Sequence, residues 1–391
     1  MDQGNIGLYI HIPFCQAKCD YCDFLSFSNK QDQWEAYINS LIYTELPLFE
    51  PYSPIDTIYI GGGTPTVLPV FLLQKLLKAI PSYLPNTEIT CEANPGTLSE
   101  EKIAALANGG VNRISLGLQS WQDHLLQNIG RCTTHGHYQK IFEDNFHLLR
   151  RAGFNNINVD IMFALPNQTL ANWEETLEKV IDLQPEHISA YGLTLEEGTP
   201  LELRLKNEHN KYAKESYEEL NEELDRQMYH RCKSFLQDKG YIQYELSNFC
   251  KSGYESQHNI KYWTRKPYIG LGLGSHSFNG NIRWSNTTDL QQYLAADHME
   301  DIYDTHSRYS DIITKTDAMA EFMFLGLRMT KGVSEKNFIQ NFGQSIFEVY
   351  GSWIAKMIDD RLLQKHDDHI ALTNLGMDLA NQVMAGFLQN I

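Results

Sequence analysis

No run of about 18 uninterrupted apolar residues occurs in the chain, so nothing in it reads as a membrane-spanning helix. A signal peptide is missing too. Met1–Gly7 is short and polar, and the apolar run Leu8–Phe14 is broken by His11 and Pro13. A cytosolic protein is expected. Positive charge is scarce: 32 Lys and Arg stand against 49 Asp and Glu, a formal net charge of −17. Such a surface repels phosphate backbones and argues against nucleic acid as a partner. Cysteines are few and odd in number, seven in 391 residues, which argues against a disulfide framework. The glycine run Gly61–Gly63 fits neither GxGxxG nor GxxxxGK[ST], so a dinucleotide fold and a P-loop are not indicated. What is present is apolar mass: 42% hydrophobic and 12% aromatic residues, enough for a large ordered core.

The first half alternates β-like runs with helical stretches. Strands are expected at Leu8–Ile12, Asp56–Ile60, Glu88–Glu92, Asn112–Gln119, Asn156–Met162 and His187–Leu193. Helices are expected near 31–49, 70–80, 99–108, 137–152 and 171–183. This alternation predicts a parallel sheet with helices outside it. Six such units suit an α/β partial barrel, with a doubly wound sheet as the alternative. Side-chain parity favours the barrel, because successive residues of a strand face opposite ways. Leu8, Ile10 and Ile12 oppose Tyr9 and His11, while Ile89 and Cys91 oppose Glu88, Thr90 and Glu92. Ile114, Leu116 and Leu118 oppose Arg113, Ser115 and Gln119, while Ile157, Val159 and Ile161 oppose Asn156, Asn158 and Asp160. One face of each strand thus suits packed helices. The other suits a polar lumen that either holds a polar ligand or carries a water-filled network.

Residues 196–226 are helical in pattern and carry ten acidic residues, which reads as a solvated face. Tyr241–Phe249 and Tyr268–Phe278 read as strands, separated by the polar segment Ser256–Arg265. From about Thr316 come helices near 317–328, 334–340 and 344–359, a hairpin over Leu362–Leu372 and a last helix, an order resembling a winged helix. With six basic and nine acidic residues over 316–391, this segment is expected to be structural or protein-contacting rather than DNA-reading. The expected division is a partial barrel over 1–240, a β-rich α+β extension over 241–315 and a winged-helix-like domain over 316–391.

The strongest chemical signal is YIHIPFCQAKCDYCDF, in which Cys15, Cys19 and Cys22 form CxxxCxxC just after the first strand. Thiolates are soft ligands suited to iron–sulfur clusters or zinc. Three of them leave one iron of a four-iron cluster open to a small molecule, whereas zinc would need a fourth ligand, locally only His11. The motif resembles the signature of the radical-SAM superfamily, and its flanks resemble the coproporphyrinogen-III-oxidase-like branch. The resemblance continues through GGGTPT (61–66), EANPGT (92–97), SLGLQS (115–120), NVDIM (158–162), LPNQT (165–169) and HNIKYW (258–263), covering nearly the whole chain. It implies a 4Fe–4S cluster on the three cysteines and S-adenosylmethionine (SAM) beside it. By the same matching, Tyr9, Tyr21, Gly62, Gly63, Thr64, Glu92, Gln119, Arg131 and Asp160 fall on SAM-contacting positions. Read alone, Arg131 is either a carboxylate clamp or a surface arginine. Cys91 reads as a core thiol, and Cys132, Cys232 and Cys250 as isolated structural ones.

Two features depart from the oxidase pattern. Phe24 stands where the oxidase has a further cysteine, and Tyr9 lies almost at the start, without the long arm that precedes the oxidase barrel. These features, with EANPGT and HNxxYW, resemble the heme chaperones of the branch. That resemblance implies heme as a bound group, with His258 as the candidate ligand and Tyr262 behind it. It also implies apo-hemoprotein acceptors, membrane-associated respiratory proteins among them. Oxidative decarboxylation of coproporphyrinogen III by radical-SAM chemistry is the alternative.

Overall fold

The computed structural model describes residues 5–48, 54–131, 137–209, 217–296 and 311–389. Six parallel strands form its centre: β1 (Ile6–Ile12), β2 (Ile55–Gly62), β3 (Glu88–Ala93), β4 (Arg113–Gln119), β5 (Ile157–Phe163) and β6 (His187–Gly192), hydrogen-bonded in chain order. Each lies within a residue or two of its expected position. Helices 70–79, 100–108, 138–151 and 170–182 fall where periodicity put them, and a helical run fills 31–48. The outward strand residues Leu8, Ile10, Ile12, Ile114, Leu116, Leu118, Ile157, Val159 and Ile161 are fully buried beneath the helices. Removing this apolar area from water is the main force that holds the helices on the sheet.

Beyond β6 the sheet is extended by β7 (Ile242–Glu245) and β8 (Asn248–Cys250), and beyond β1 by β9 (Tyr268–Leu271), β10 (His276–Phe278), β11 (Ile282–Ser285) and β12 (Asp311–Ile312). The sheet ends at β7 and β12, so among the described residues the barrel is partial, not closed. Two expectations are corrected here. Tyr241–Phe249 and Tyr268–Phe278 are each a pair of short strands; the second pair turns through Gly272 and Gly274, at φ +95° and +65°. A side chain at Gly272 would sit 2.6 Å from the His11 carbonyl oxygen, so glycine is required there. The polar segment between the pairs is a helix, Gln257–Trp263, whose first N–H groups are capped by the Ser256 hydroxyl and by Glu88.

The acidic segment is also more than a solvated face. Helix Pro200–His209 buries Leu201, Glu202 and Leu205, and helix Tyr217–Asp238 buries Met228, Cys232, Phe235 and Leu236 against the barrel. Part of that segment, residues 210–216, lies outside the described residues, as does Cys132. Cys91, Cys232 and Cys250 are buried.

The C-terminal helices 315–326, 335–342, 346–359 and 380–389 enclose a second apolar core with a sheet of β13 (Val333–Ser334), β14 (Leu363–His366) and β15 (His369–Leu372), the expected winged-helix order. Glu321 on the first of these helices accepts from Arg265 (2.8 Å) and from Arg283 on β11 (2.7 Å), and both guanidinium groups flank the buried ring of Phe278. Removing the shared carboxylate leaves Arg265, 11% exposed, without its anion. Glu321→Ala is therefore expected to destabilise the protein by about 3 kcal/mol, read as a lower urea midpoint. A loss under about 0.5 kcal/mol would mean that solvent already screens this contact as it does a surface pair.

Candidate functional site

The inward residues of the strands and the cysteine loop enclose one cavity of about 360 Å³. It is lined by Cys15, Cys19, Tyr21 and Cys22 from the loop after β1, by Gly62, Gly63 and Thr64 from the end of β2, and by Glu92, Gln119, Arg131 and Asp160. Eleven residues that sequence motifs scatter over about 145 positions are thus gathered around one space. Two candidates lie elsewhere. Tyr9 is behind the lining: its hydroxyl donates to His11 Nδ1 (2.8 Å), because His11 Nε2 donates to the Leu25 carbonyl (2.9 Å). His258 is the other.

The cysteine loop is tied down on both sides. Cys15 N–H donates to the Phe27 carbonyl (3.0 Å) and Phe27 N–H to Pro13 (2.8 Å), closing the loop at its neck. Asp20 N–H donates to the Ile129 carbonyl (3.0 Å), Leu201 N–H donates to the Asp20 carbonyl (2.9 Å), and Arg204 pairs with the Asp20 carboxylate at 3.1 Å. The glycine strip explains itself beside this neck. Gly63 N–H donates to Ile12 (2.9 Å) and Thr64 N–H to Phe14 (2.7 Å), and a Cβ on Gly63 would lie 2.6 Å from the Phe14 carbonyl oxygen. Gly62 has φ +112°, and a Cβ there would strike the His11 ring at 2.5 Å. The strip is glycine because two backbones meet, and that meeting sets Thr64 beside Cys15, with Oγ1 3.6 Å from its sulfur.

All three cysteines are free and half-buried, and burial raises the thiol pKa of Cys15 and Cys22. Among the described residues no three His, Cys, Asp or Glu side chains converge on a single-ion position. Three soft donors on one loop at the mouth of a cavity fit a larger cluster, which spreads its ligands over several irons.

Arg131 is bonded into the wall of the cavity and is not a surface arginine. Its Nε donates to the Tyr138 hydroxyl (3.0 Å), and one terminal nitrogen donates to Asn94 Oδ1 (2.6 Å) and the Gly117 carbonyl (2.9 Å). The other points at Cys19 Sγ, 3.9 Å away. Asn94 also donates to Thr64 Oγ1 (2.8 Å), linking Arg131 to the glycine strip. Gln119 ends β4 at φ +69° where the pairing with β5 slips by one residue, a bulge that re-aims the side chain. Asn94, Tyr138 and the inward residues Tyr59, Ser189 and Tyr191 were not singled out from sequence. Strand parity signals Tyr59, Ser189 and Tyr191, but nothing in the sequence ties Tyr138 to Arg131.

Deeper in the lumen, Asp160 accepts from the Ser115 hydroxyl (2.9 Å) and from Asn158 Nδ2 (2.8 Å). Its carboxyl is still held above the ordinary range by burial. Glu92 accepts from the Tyr59 hydroxyl (2.7 Å) and from Gly62 N–H (3.0 Å). Burial pushes it up to about 7, outweighing those two hydrogen bonds and the charge of Arg113.

His258, expected as a heme ligand, is fully buried between β2 and its own helix. Nδ1 bonds to Thr57 Oγ1 (2.9 Å), Nε2 bonds to the Tyr262 hydroxyl (2.9 Å), and the ring stacks on Tyr59. Burial, with the charges of Lys261 and Arg113 adding, lowers its pKa to about 3. Both ring nitrogens are engaged, so in this arrangement the residue orders the HNxxYW segment and offers no nitrogen to a heme iron. The residue of that segment that reaches the cavity is Asn259.

A carboxyl raised to about 7 in the folded chain, against about 4.3 when unfolded, means that the folded state binds the proton more tightly. The corresponding stability is fully present below about pH 4.3 and is lost as pH rises through about 7. In ligand-free protein, Glu92→Gln is expected to match wild type near pH 4 and to exceed it near pH 8 by on the order of 1–3 kcal/mol. The check is the difference between the two melting curves, since buried Glu45, also raised to about 7, titrates in both. A constant difference across that interval would remove Glu92 as the titrating group.

Residues 9–180 match the Radical SAM superfamily, and residues 313–379 match the HemN C-terminal domain. The heme chaperone HemW of Lactococcus lactis is 38% identical to this chain over 99% of it and 98% of its own length. The heme chaperone HemW of Bacillus subtilis is 37% identical over 97% and 98%. The solved structure of coproporphyrinogen III oxidase (HemN) from Escherichia coli superposes with a TM-score of 0.81 over 98% of this chain and 90% of that one, at 20% identity, a likeness of fold. No helix among the described residues is long and apolar enough to cross a membrane. With its strand order, its cysteine loop and these relatives together, the chain belongs to the radical SAM superfamily and, within it, to the family of the proteins named heme chaperone HemW.

Proposed function

We propose that the protein is a heme chaperone that carries a 4Fe–4S cluster and SAM and passes heme to apo-hemoprotein acceptors, including membrane-associated respiratory ones. The observation that carries this reading is the composition of the one cavity. Its mouth has the three cysteines and Arg131, its wall has Gly62–Thr64, Glu92, Gln119 and Asp160, and its rim has Phe24, 65% exposed. A phenyl group cannot ligate iron or relay through a thiol, which weighs against the oxidase reaction. Phe24 and Tyr191 (40% exposed), which line the same cavity, offer apolar faces to a planar macrocycle. The name shared by relatives that match nearly the full length of the chain supports the same reading.

Cys15, Cys19 and Cys22 would hold the cluster, leaving one iron to the amine and carboxylate of SAM. When bound, such a cluster supplies an electron to the sulfonium. The chain's own contribution is position and exclusion of water. Gly62 and Gly63 let a ligand approach the backbone, and Arg131, held by Asn94, Gly117 and Tyr138, keeps one terminal nitrogen turned toward the cysteine side. Glu92 and Asp160 present carboxyl oxygens from the lumen wall, and Gln119 an amide from its bulge.

The Cys15/Cys19/Cys22→Ala variant is expected to lose nearly all iron and the brown absorption after anaerobic reconstitution. Retention of about four irons per chain would refute the cluster assignment. Glu92→Ala and Asp160→Ala should keep their iron and bind SAM roughly tenfold to a hundredfold more weakly, as expected for losing a charge-assisted hydrogen bond in a desolvated site. For function, the reconstituted protein should bind heme and release it to an apo-acceptor. Under the same reducing conditions it should leave coproporphyrinogen III unchanged. Turnover of coproporphyrinogen III, or no heme bound at all, would overturn the chaperone reading.

A further inference from the structure

Two polar side chains of the lumen, Arg113 and Asn259, have no hydrogen-bond partner among the described residues. Arg113 begins β4 and is 2% exposed, yet its guanidinium makes no hydrogen bond or ion pair with any described residue. Its Nε is sealed from solvent and unpartnered, while the side chain lines the cavity. Asn259, the residue after His258, lines the same cavity, and its side-chain amide likewise has no partner among the described residues. The nearby acids are committed elsewhere. Glu92 is bonded to Tyr59 and Gly62, and Asp160 to Ser115 and Asn158, and neither lies within ion-pair distance of Arg113. His187 is equally occupied, Nδ1 bonding to Asn158 Oδ1 and Nε2 to the Tyr244 hydroxyl.

Glu92 and Asp160 feel the charge of Arg113 without touching it, and burial holds both toward their neutral forms; a buried guanidinium left without a direct partner is expensive, and a ligand anion satisfies it. Arginine presents a planar fork of donors that matches a carboxylate, and an amide beside it can add a further donor. The position separates this site from Arg131 at the mouth. Arg131 binds over Gly117, whereas Arg113 lies four residues earlier on the strand, roughly 13 Å deeper at about 3.3 Å per residue. The two arginines therefore enter the lumen from different levels of the barrel.

We propose that Arg113 and Asn259 form a carboxylate receptor at the lumen floor that takes a propionate of the bound tetrapyrrole. This rests on the heme reading above and adds to it a contact away from the metal. It assigns to HNxxYW a polar contact through Asn259, with His258 holding the segment in place beneath.

The test compares heme with its dimethyl ester, in which both carboxylates are masked, by titration of reconstituted protein. Wild type should prefer the free acid by tenfold or more. Arg113→Met should lose that preference with its affinity for the ester unchanged, and Arg113→Lys should recover part of it. Iron content and SAM affinity should hold in both variants. Equal binding of acid and ester by wild type, a comparison that needs no variant, would refute the receptor, as would an intact preference in Arg113→Met. A fall in SAM affinity alone in Arg113→Met would assign the carboxylate to SAM and overturn the tetrapyrrole assignment. If wild type binds neither form, the heme reading itself falls and the receptor with it.

Discussion

The lumen sets the terms for the rest of the structure, because it places charged and polar groups where water is restricted. Glu92, Asp160, Arg113 and His187 all stand on the inner faces of parallel strands. A group in that position either finds a partner or changes protonation state. Burial and hydrogen bonding pull Glu92 in opposite directions, and burial wins. Asn158 solves several such problems together: it donates to Ser115 and Asp160 and accepts from His187 and Ser189. A network this connected specifies one arrangement of β4, β5 and β6, since moving any member by a residue strands the others.

The mouth of the lumen depends on a different device, the meeting of two backbones. Residues 12–14 and 63–64 bond strand end to strand end, which is possible only without side chains at Gly62 and Gly63. That contact places the start of the cysteine loop. Its far side is held by Asp20, through Ile129, Leu201 and Arg204. The loop is therefore short but braced from three elements, which fixes the placement of its three cysteines. Helix 200–209, part of the charge-rich segment that reads as surface in the sequence, is one of the braces.

The HNxxYW helix closes the other end. Glu88 at the start of β3 caps it, His258 stacks on Tyr59, and Lys261 pairs with Asp56 at 2.7 Å. Trp263 lies under the guanidinium of Arg328, 4.3 Å from its ring centre, so the same segment also meets the chain leading into the C-terminal core. A floor built this way links the lumen to the winged-helix-like part through continuous packing.

Strand and helix positions were legible in the sequence because apolar residues repeat with period two in strands and near 3.6 in helices, and burial enforces both. The inward face of four strands was legible for the same reason, and with it Glu92, Gln119 and Asp160. CxxxCxxC was legible because soft ligands at that spacing serve few purposes. Sequence could not tell that Tyr138 and Asn94 hold Arg131, since the three lie up to 44 positions apart and meet only when β3, β4 and helix 138–151 pack. Nor could it show that His258 is sealed and Asn259 is not: adjacent residues on a helix point about 100° apart, and only the docking of that helix on β2 decides which faces the lumen. Local chemistry marked the cysteine loop and the barrel; long-range packing alone determined which buried polar groups find a partner in the protein and which do not.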